Sequence, residues 1–100
     1  MALVLNKNDE SVWTLQGPLN VHTLNQVWRT GHAWIDAAPH ESIELNLDAV
    51  TEPDSASVAL LIDWFRYAHQ QGKHLHLHNV PEKMLDIIRV SNLQTILHVN

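Results

Sequence analysis

The sequence predicts an α/β fold, a two-layer open sandwich in which a mixed β-sheet of four to five strands carries its helices on one face. Three observations lead there. Strand-like and helix-like periodicities alternate along the 100 residues in the order β-β-α-β-α-β-α, with a short closing strand expected at the end. Strands separated by helices need crossover connections, and hence a partly parallel sheet. Each strand alternates apolar and polar residues, whereas a sheet covered on both faces would read as continuously apolar, so one face should be wet.

The elements follow in order. "ALVLN" and "SVWTLQ" read as two strands joined by the turn-forming "KNDE", with Trp13 and Leu15 on one face of the second and Val12, Thr14 and Gln16 on the other. Gly17-Pro18 ends that strand. Asn20 is placed to cap a first helix in which Leu24, Val27, Trp28, Gly31 and Ile35 fall on one side, and Pro39 stops it. "SIELNL" alternates cleanly, with Ile43, Leu45 and Leu47 facing one way. A second helix is expected from Asp54 to Gly72, a residue suited to a helix C-terminus. "KHLHLHNV" is another alternating strand. Pro81 suits the first turn of a third helix that turns Met84, Ile87, Ile88 and Ser91 to one side, and "TILHV" reads as the closing strand.

At this length the expectation is one domain spanning residues 1–100. With 45% hydrophobic and 17% charged residues the composition is that of a globular chain. A formal charge of -5 and no Lys/Arg cluster argue against nucleic acid or an anionic membrane surface as partner. Cysteine is absent, which excludes disulfides and thiol catalysis and suits a reducing cytoplasm. "MALVLNKNDE" turns acidic too soon for a signal peptide, and no apolar run approaches the roughly 20 residues of a membrane span, so direct membrane insertion is not expected.

The run from Leu45 to Leu93, "LNLDAVTEPDSASVALLIDWFRYAHQQGKHLHLHNVPEKMLDIIRVSNL", resembles the STAS domain family, the anti-sigma factor antagonist fold. That family's pattern is a strand, a short loop, Asp-Ser-Ser-Gly, an apolar helix ending in Gly, a strand, an Asn-Val-Pro turn and a helix closing on an Asn-Leu or Gly-Leu step. Asp48, Asp54, Ser55, Gly72, Asn79, Val80, Pro81, Asn92 and Leu93 sit where those landmarks belong. The N-terminal half agrees in element order only. In sigma-factor antagonists the second serine of Asp-Ser-Ser-Gly is the usual phosphoacceptor; here that position is Ala56, and Ser57 replaces the glycine. MlaB-type subunits of the bacterial phospholipid ABC transporter keep a hydroxyl at the first position but not the second, and are about this short. The resemblance therefore implies a non-catalytic cytoplasmic subunit without cofactor. It would bind and stabilise the MlaF-like ATPase of an MlaFEDB-type complex, reach the membrane permease through it, and support intermembrane phospholipid transport and outer-membrane lipid asymmetry. The alternative implied is an anti-sigma factor antagonist regulated by serine phosphorylation.

Several residues carry a structural and a functional reading side by side. Asp54 and Ser55 suit a helix start, where a carboxylate or hydroxyl accepts from unpaired backbone N–H groups, worth about 1 kcal/mol. The resemblance places a partner contact at this same end. A phosphate on Ser55 would suit the helix dipole but stand beside Asp54 and Glu52. In the second helix Val58, Leu61, Ile62 and Phe65 form the stripe expected in the core, continued by His69. A neighbouring stripe of Leu60, Trp64 and Tyr67, continued by Ser57, either packs against a flanking helix or forms an exposed patch. As a patch, with Asp54 and Ser55, it is the expected partner-binding surface, since Trp and Tyr often dominate interfaces. "HLHLH" puts His74, His76 and His78 on one face without a local acidic or cysteine partner, so strand polarity explains it and no metal is expected. No glycine-rich phosphate loop, nucleophile elbow or evident carboxylate pair is present, so catalysis is not expected.

Overall fold

The computed structural model describes residues 3–9 and 11–98. Strands β1 (Val4–Lys7) and β2 (Val12–Pro18) form an antiparallel hairpin with Lys7 opposite Trp13. At its turn the Asp9 carboxylate accepts from the backbone N–H of Ser11 (2.8 Å) and Val12 (2.9 Å). Those bonds, Ser11's first, hold its pKa below the ordinary carboxylate value. Helix α1 (Trp28–Ala37) leads to β3 (Ser42–Asn46), which pairs parallel to β2. A two-residue strand β4 (Val50–Thr51) pairs with the far end of β2, helix α2 (Ser55–Gln70) crosses over, and β5 (His74–His78) pairs parallel to β3. Helices α3 (Glu82–Val90) and α4 (Gln94–Leu97) complete the described chain. Among the described residues the sheet has five strands, with β1-β2-β3-β5 side by side and β4 beside β2.

The alternation sets the layers. Ile43, Leu45 and Leu47 are fully buried, and Leu15 and Leu75 join them, so one sheet face lies under the helices. On the other face Ser42, Gln16, His74, His76 and His78 are exposed. There the His78 Nε2 lies 2.8 Å from Glu44 Oε1, and the Asn79 amide donates to Asn46 (3.0 Å). The histidine strand faces solvent, as its period requires.

Three expectations need correction. The first helix does not run from Asn20. Residues 24–26 form a 3-10 turn and the α-helix begins at Trp28. Asn20 Oδ1 accepts from His22 N–H (2.9 Å), while the Thr23 hydroxyl accepts from Asn20 N–H (3.0 Å) and donates to Pro18 O (2.7 Å). These side chains hold a turn in place of a helix, the competition that short polar residues offer the backbone. Second, "TILHV" is not a strand within the described residues, which exclude Val99. Asn92 takes a left-handed φ of 57°, Leu93 N–H bonds to Ile88 O, and the chain enters α4, which buries Leu97. Helix closure at Asn92 decided the path, and the β-branched composition did not.

The third correction concerns α2. This helix touches α1 and the 3-10 turn on one flank and α3 and α4 on the other, with β5 beneath it. A helix with neighbours on both flanks buries a wide arc. That arc runs through Ser57, Val58, Leu60, Leu61, Trp64 and Ala68. Ile62 and Phe65, expected in the core, are only half-buried, and His69 is exposed. Gly72 ends the helix as expected with φ 74°, letting Lys73 N–H reach Ala68 O (2.8 Å). The Lys73 ammonium then donates to the carbonyls of Ile35 and Asp36, tying this turn to the end of α1.

Candidate partner-binding site

The start of α2 is built from a reciprocal cap. Asp54 has extended backbone, its Oδ1 accepts from Ser57 N–H (3.2 Å), and its own N–H donates to Ser57 Oγ (2.9 Å). The capping box is thus Asp-x-x-Ser, satisfying two backbone donors that would otherwise lack partners. The same two side chains also reach outside the helix. Asp54 Oδ2 accepts from Val21 N–H (3.1 Å), and Ser57 Oγ donates to Leu19 O. Asn20 adds a bond to Glu52 O (3.4 Å). The helix start and the loop after β2 are therefore one hydrogen-bonded unit. Asp54 and Ser57 carry it; Ser55, the first helical residue, caps nothing and is exposed.

The six residues expected to bind a partner do not share one surface. Ser57, Leu60 and Trp64 are each 0% exposed. Trp64 donates its indole N–H to Trp28 O (3.2 Å) and meets Trp34 edge-on with ring centroids 6.4 Å apart. The stripe packs against α1, so Leu60 and Trp64 offer a partner nothing in this conformation. Tyr67 is half-buried and belongs to the α1–α2 seam: its hydroxyl donates to Asp36 (2.7 Å), and its ring stacks on His32 at 4.2 Å. His32 lies 2.7 Å from Asp63. Only Asp54 and Ser55 remain at the accessible end.

What surrounds Ser55 was not read from the sequence. A groove of ≈ 260 Å³ lies between the α2 start and α3 and is lined by Ser55, Asp86, Ile87, Val90 and Ser91. Val90 is 85% exposed, and Val21, in the loop bonded to Asp54, is 58% exposed. Val90 is the sort of residue a sequence can flag, being apolar yet off the Met84/Ile87/Ile88 stripe that packs α3. Among the described residues no group of three or more His, Asp or Glu side chains converges as a metal ion would need.

The seam supports a pH prediction. The hydrogen bond to Asp36, then burial, raises the Tyr67 pKa above its ordinary 10.0. The contact favours the neutral phenol, so its stabilising contribution is present below that ordinary value and is lost as pH rises through the raised one. Tyr67 is the chain's one tyrosine, so tyrosinate absorbance reads it directly. Its midpoint should lie above 10.0 and fall in Asp36→Asn. An unchanged midpoint in that variant would mean the bond is not formed in solution.

A two-layer sandwich with a capped helix start, and a hydroxyl beside a partly apolar groove, has the architecture of the STAS class. The family profile described as "Mlab, STAS domain" matches residues 3–98, and the chain belongs to that family. Within it the chain is MlaB-like. It superposes on a chain of the Acinetobacter MlaFEDB complex, in its ATP-bound Vtrans2 conformation, with a TM-score of 0.82 and 29% identity over 97% of this chain and 99% of that one. The fold is shared more distantly with the phosphorylated form of the Bacillus cell fate determinant SpoIIAA (TM-score 0.69, 20% identity, 94% of this chain and 86% of that one). It is also shared with an anti-sigma-factor antagonist (STAS) domain protein from Planctomyces limnophilus (TM-score 0.74, 16% identity, 96% and 86%). No curated protein sequence matches the chain.

Proposed function

We propose that the protein is a non-catalytic subunit that binds and stabilises the ATPase of an MlaFEDB-type ABC transporter, and so supports intermembrane phospholipid transport and outer-membrane lipid asymmetry. The observation that carries this reading is the end-to-end likeness to a chain of an MlaFEDB complex, within a family described by MlaB. No helix among the described residues is long and apolar enough to cross a membrane, so the reading attaches the protein to the cytoplasmic side of the inner membrane through its partner. The contact surface is the α2 start, with Ser55 at its centre, Asp54 holding it, and Val21, Ile87 and Val90 supplying apolar area. Leu60, Trp64, Ser57 and Tyr67 act from inside, fixing the helix that presents it. Ser55 is a contact residue in this reading and not a phosphoacceptor, since a phosphate there would meet the Asp86 carboxylate across the groove as well as Asp54. The antagonist reading has the fold likeness to SpoIIAA in its favour, but Ala56 has no hydroxyl to phosphorylate.

The test is co-purification. Tagged protein should recover an ABC ATPase and hydrolyse no ATP when purified alone. Val90→Glu should weaken that complex about tenfold or more, because a charge would be buried where an apolar contact stood. Its melting temperature should barely move, since surface substitutions usually stay within about 0.5 kcal/mol. Recovery of an anti-sigma kinase, with phosphate on Ser55 or Ser57, would establish the antagonist reading instead.

A further inference from the structure

The far end of α2 from its capped start borders a cleft that the partner-binding reading does not use. It has a volume of ≈ 530 Å³. Phe65, Arg66 and His69 of α2, His74 of β5, and Ile96 and His98 at α4 line it. That size falls among small-molecule sites, which span about 300–1,000 Å³. A narrower cleft of ≈ 90 Å³ shares Phe65, His69, His74 and His98 with it and reaches on to Lys73 and His76.

The chemistry of this cleft runs against that of the chain as a whole. The formal charge is -5, with 11 acidic side chains against six basic ones, yet no acidic side chain lines either cleft. One guanidinium and three imidazoles line the larger one, and Arg66, His69, His74 and His98 are all exposed, so these side chains reach solvent. His32 and His78 are each paired with a carboxylate, whereas among the described residues none of these four is. His98 instead meets the Phe65 ring, at 5.3 Å between centroids. Phe65 is half-buried and Ile96 is 43% exposed, so both keep apolar surface beside the basic groups. The negative end of the α2 dipole lies nearby, but carbonyls of its last turn are taken up by the N–H groups of Gln71, Gly72 and Lys73.

We propose that this cleft binds a soluble phosphate monoester with a short alkyl or single-ring body. The Arg66 guanidinium supplies a fixed charge and paired N–H donors, and the imidazoles of His69, His74 and His98 add ring N–H donors from three different elements. A phosphate head has three free oxygens and accepts from donors arriving from several sides, whereas a carboxylate presents two oxygens in one plane. Phe65 and Ile96 cover the body. The net negative charge of the chain opposes approach to an anionic membrane, which favours a soluble ester over a lipid headgroup. The site is separate from Ser55 and does not depend on the function proposed above.

Hexyl phosphate is a suitable probe, with hexanol and inorganic phosphate as its two halves. It should shift the imidazole resonances of His69, His74 and His98 saturably, with a Kd of about 1 mM or below, as befits so small a ligand. The resonances of His22 and His78, which line neither cleft, should move far less. Arg66→Gln, at an exposed helical position that the fold tolerates, should weaken hexyl phosphate about threefold to tenfold and leave hexanol unchanged. His69→Ala should act in the same direction, by about twofold to threefold. Inorganic phosphate should bind at least about tenfold more weakly, because it lacks the body that Phe65 and Ile96 cover. Absence of saturable shifts at the three histidines would overturn the proposal, and so would equal binding of hexanol and hexyl phosphate that is indifferent to Arg66→Gln. Sedimentation with vesicles containing phosphatidic acid, lost in Arg66→Gln, would overturn the choice of a soluble ester.

Discussion

Trp64→Ala should cost the fold about 3–5 kcal/mol, the range for truncating a large aromatic side chain in a packed core. Trp64 is 0% exposed and is among the largest fully buried side chains. It joins α2 to α1 twice over, through the bond from its Nε1 to Trp28 O and through the edge-on contact with Trp34. Removing it leaves a void between the two helices and takes away the indole's hydrogen bond to the Trp28 carbonyl. Domains are stable by about 5–15 kcal/mol, so the loss is a large share of the whole. Urea denaturation with a fixed slope would show it as a fall in midpoint. Trp64→Phe should cost much less, because it refills most of the space. Unchanged stability in Trp64→Ala together with lost partner binding would return Trp64 to an exposed patch, one of the two places that the sequence left open for it.

Gly31→Ala should destabilise by about 1–2 kcal/mol net, the cost of overpacking outweighing alanine's helix preference. Alanine is preferred to glycine inside a helix by about 1 kcal/mol, so a free helical position would be stabilised by the change. At Gly31 an added Cβ would sit 2.2 Å from Trp64 Cε2 and Cζ2 and 2.7 Å from its Nε1. No carbon contact is that short. The indole would have to leave its rotamer or α1 would have to back away from α2, and overpacking of this kind typically costs 1–3 kcal/mol. The pair should be non-additive: in a Trp64→Phe background, where the ring is smaller, Gly31→Ala should cost less than in the native chain. Thermal unfolding of the four variants closes that cycle. Equal costs in both backgrounds would mean that the Cβ meets something other than the indole.

Gly31 also shows how far the sequence could be read. A glycine on the buried stripe of α1 signals that something large approaches closely, but the chain does not say that the visitor is Trp64 from the helix beyond the next two strands. The strands were the readable part, because a two-residue period leaves only two faces and Ile43, Leu45, Leu47 and the histidines take opposite ones. Helix α2 was less so. Val58/Leu61/Ile62/Phe65 and Leu60/Trp64 are adjacent stripes, both apolar, and the choice between them rests on α1, α3 and α4 arriving on either flank. The helix cap was readable at Asp54, because cap chemistry is local, and misread at Asn20, where the same local chemistry closes a turn. Of the site, the position of Ser55 was given by the sequence pattern. Ile87 and Val90 were not, because they reach Ser55 only once α3 has packed.

The bonds that link Asp54 and Ser57 to Leu19 and Val21 have a consequence for association itself. Loops at interfaces ordinarily lose freedom when a partner docks, and that lost freedom opposes binding. Here the loop carrying Val21 is already fastened to the helix carrying Ser55, so the docking surface proposed above would meet a partner as a preformed rigid body. Association should accordingly proceed with little backbone rearrangement in this chain. On that proposal the fastening would also make the loop's length a control on affinity. Inserting glycines between Leu19 and Val21 would loosen the docking surface, and weaken the complex, while leaving every contacting side chain as it was.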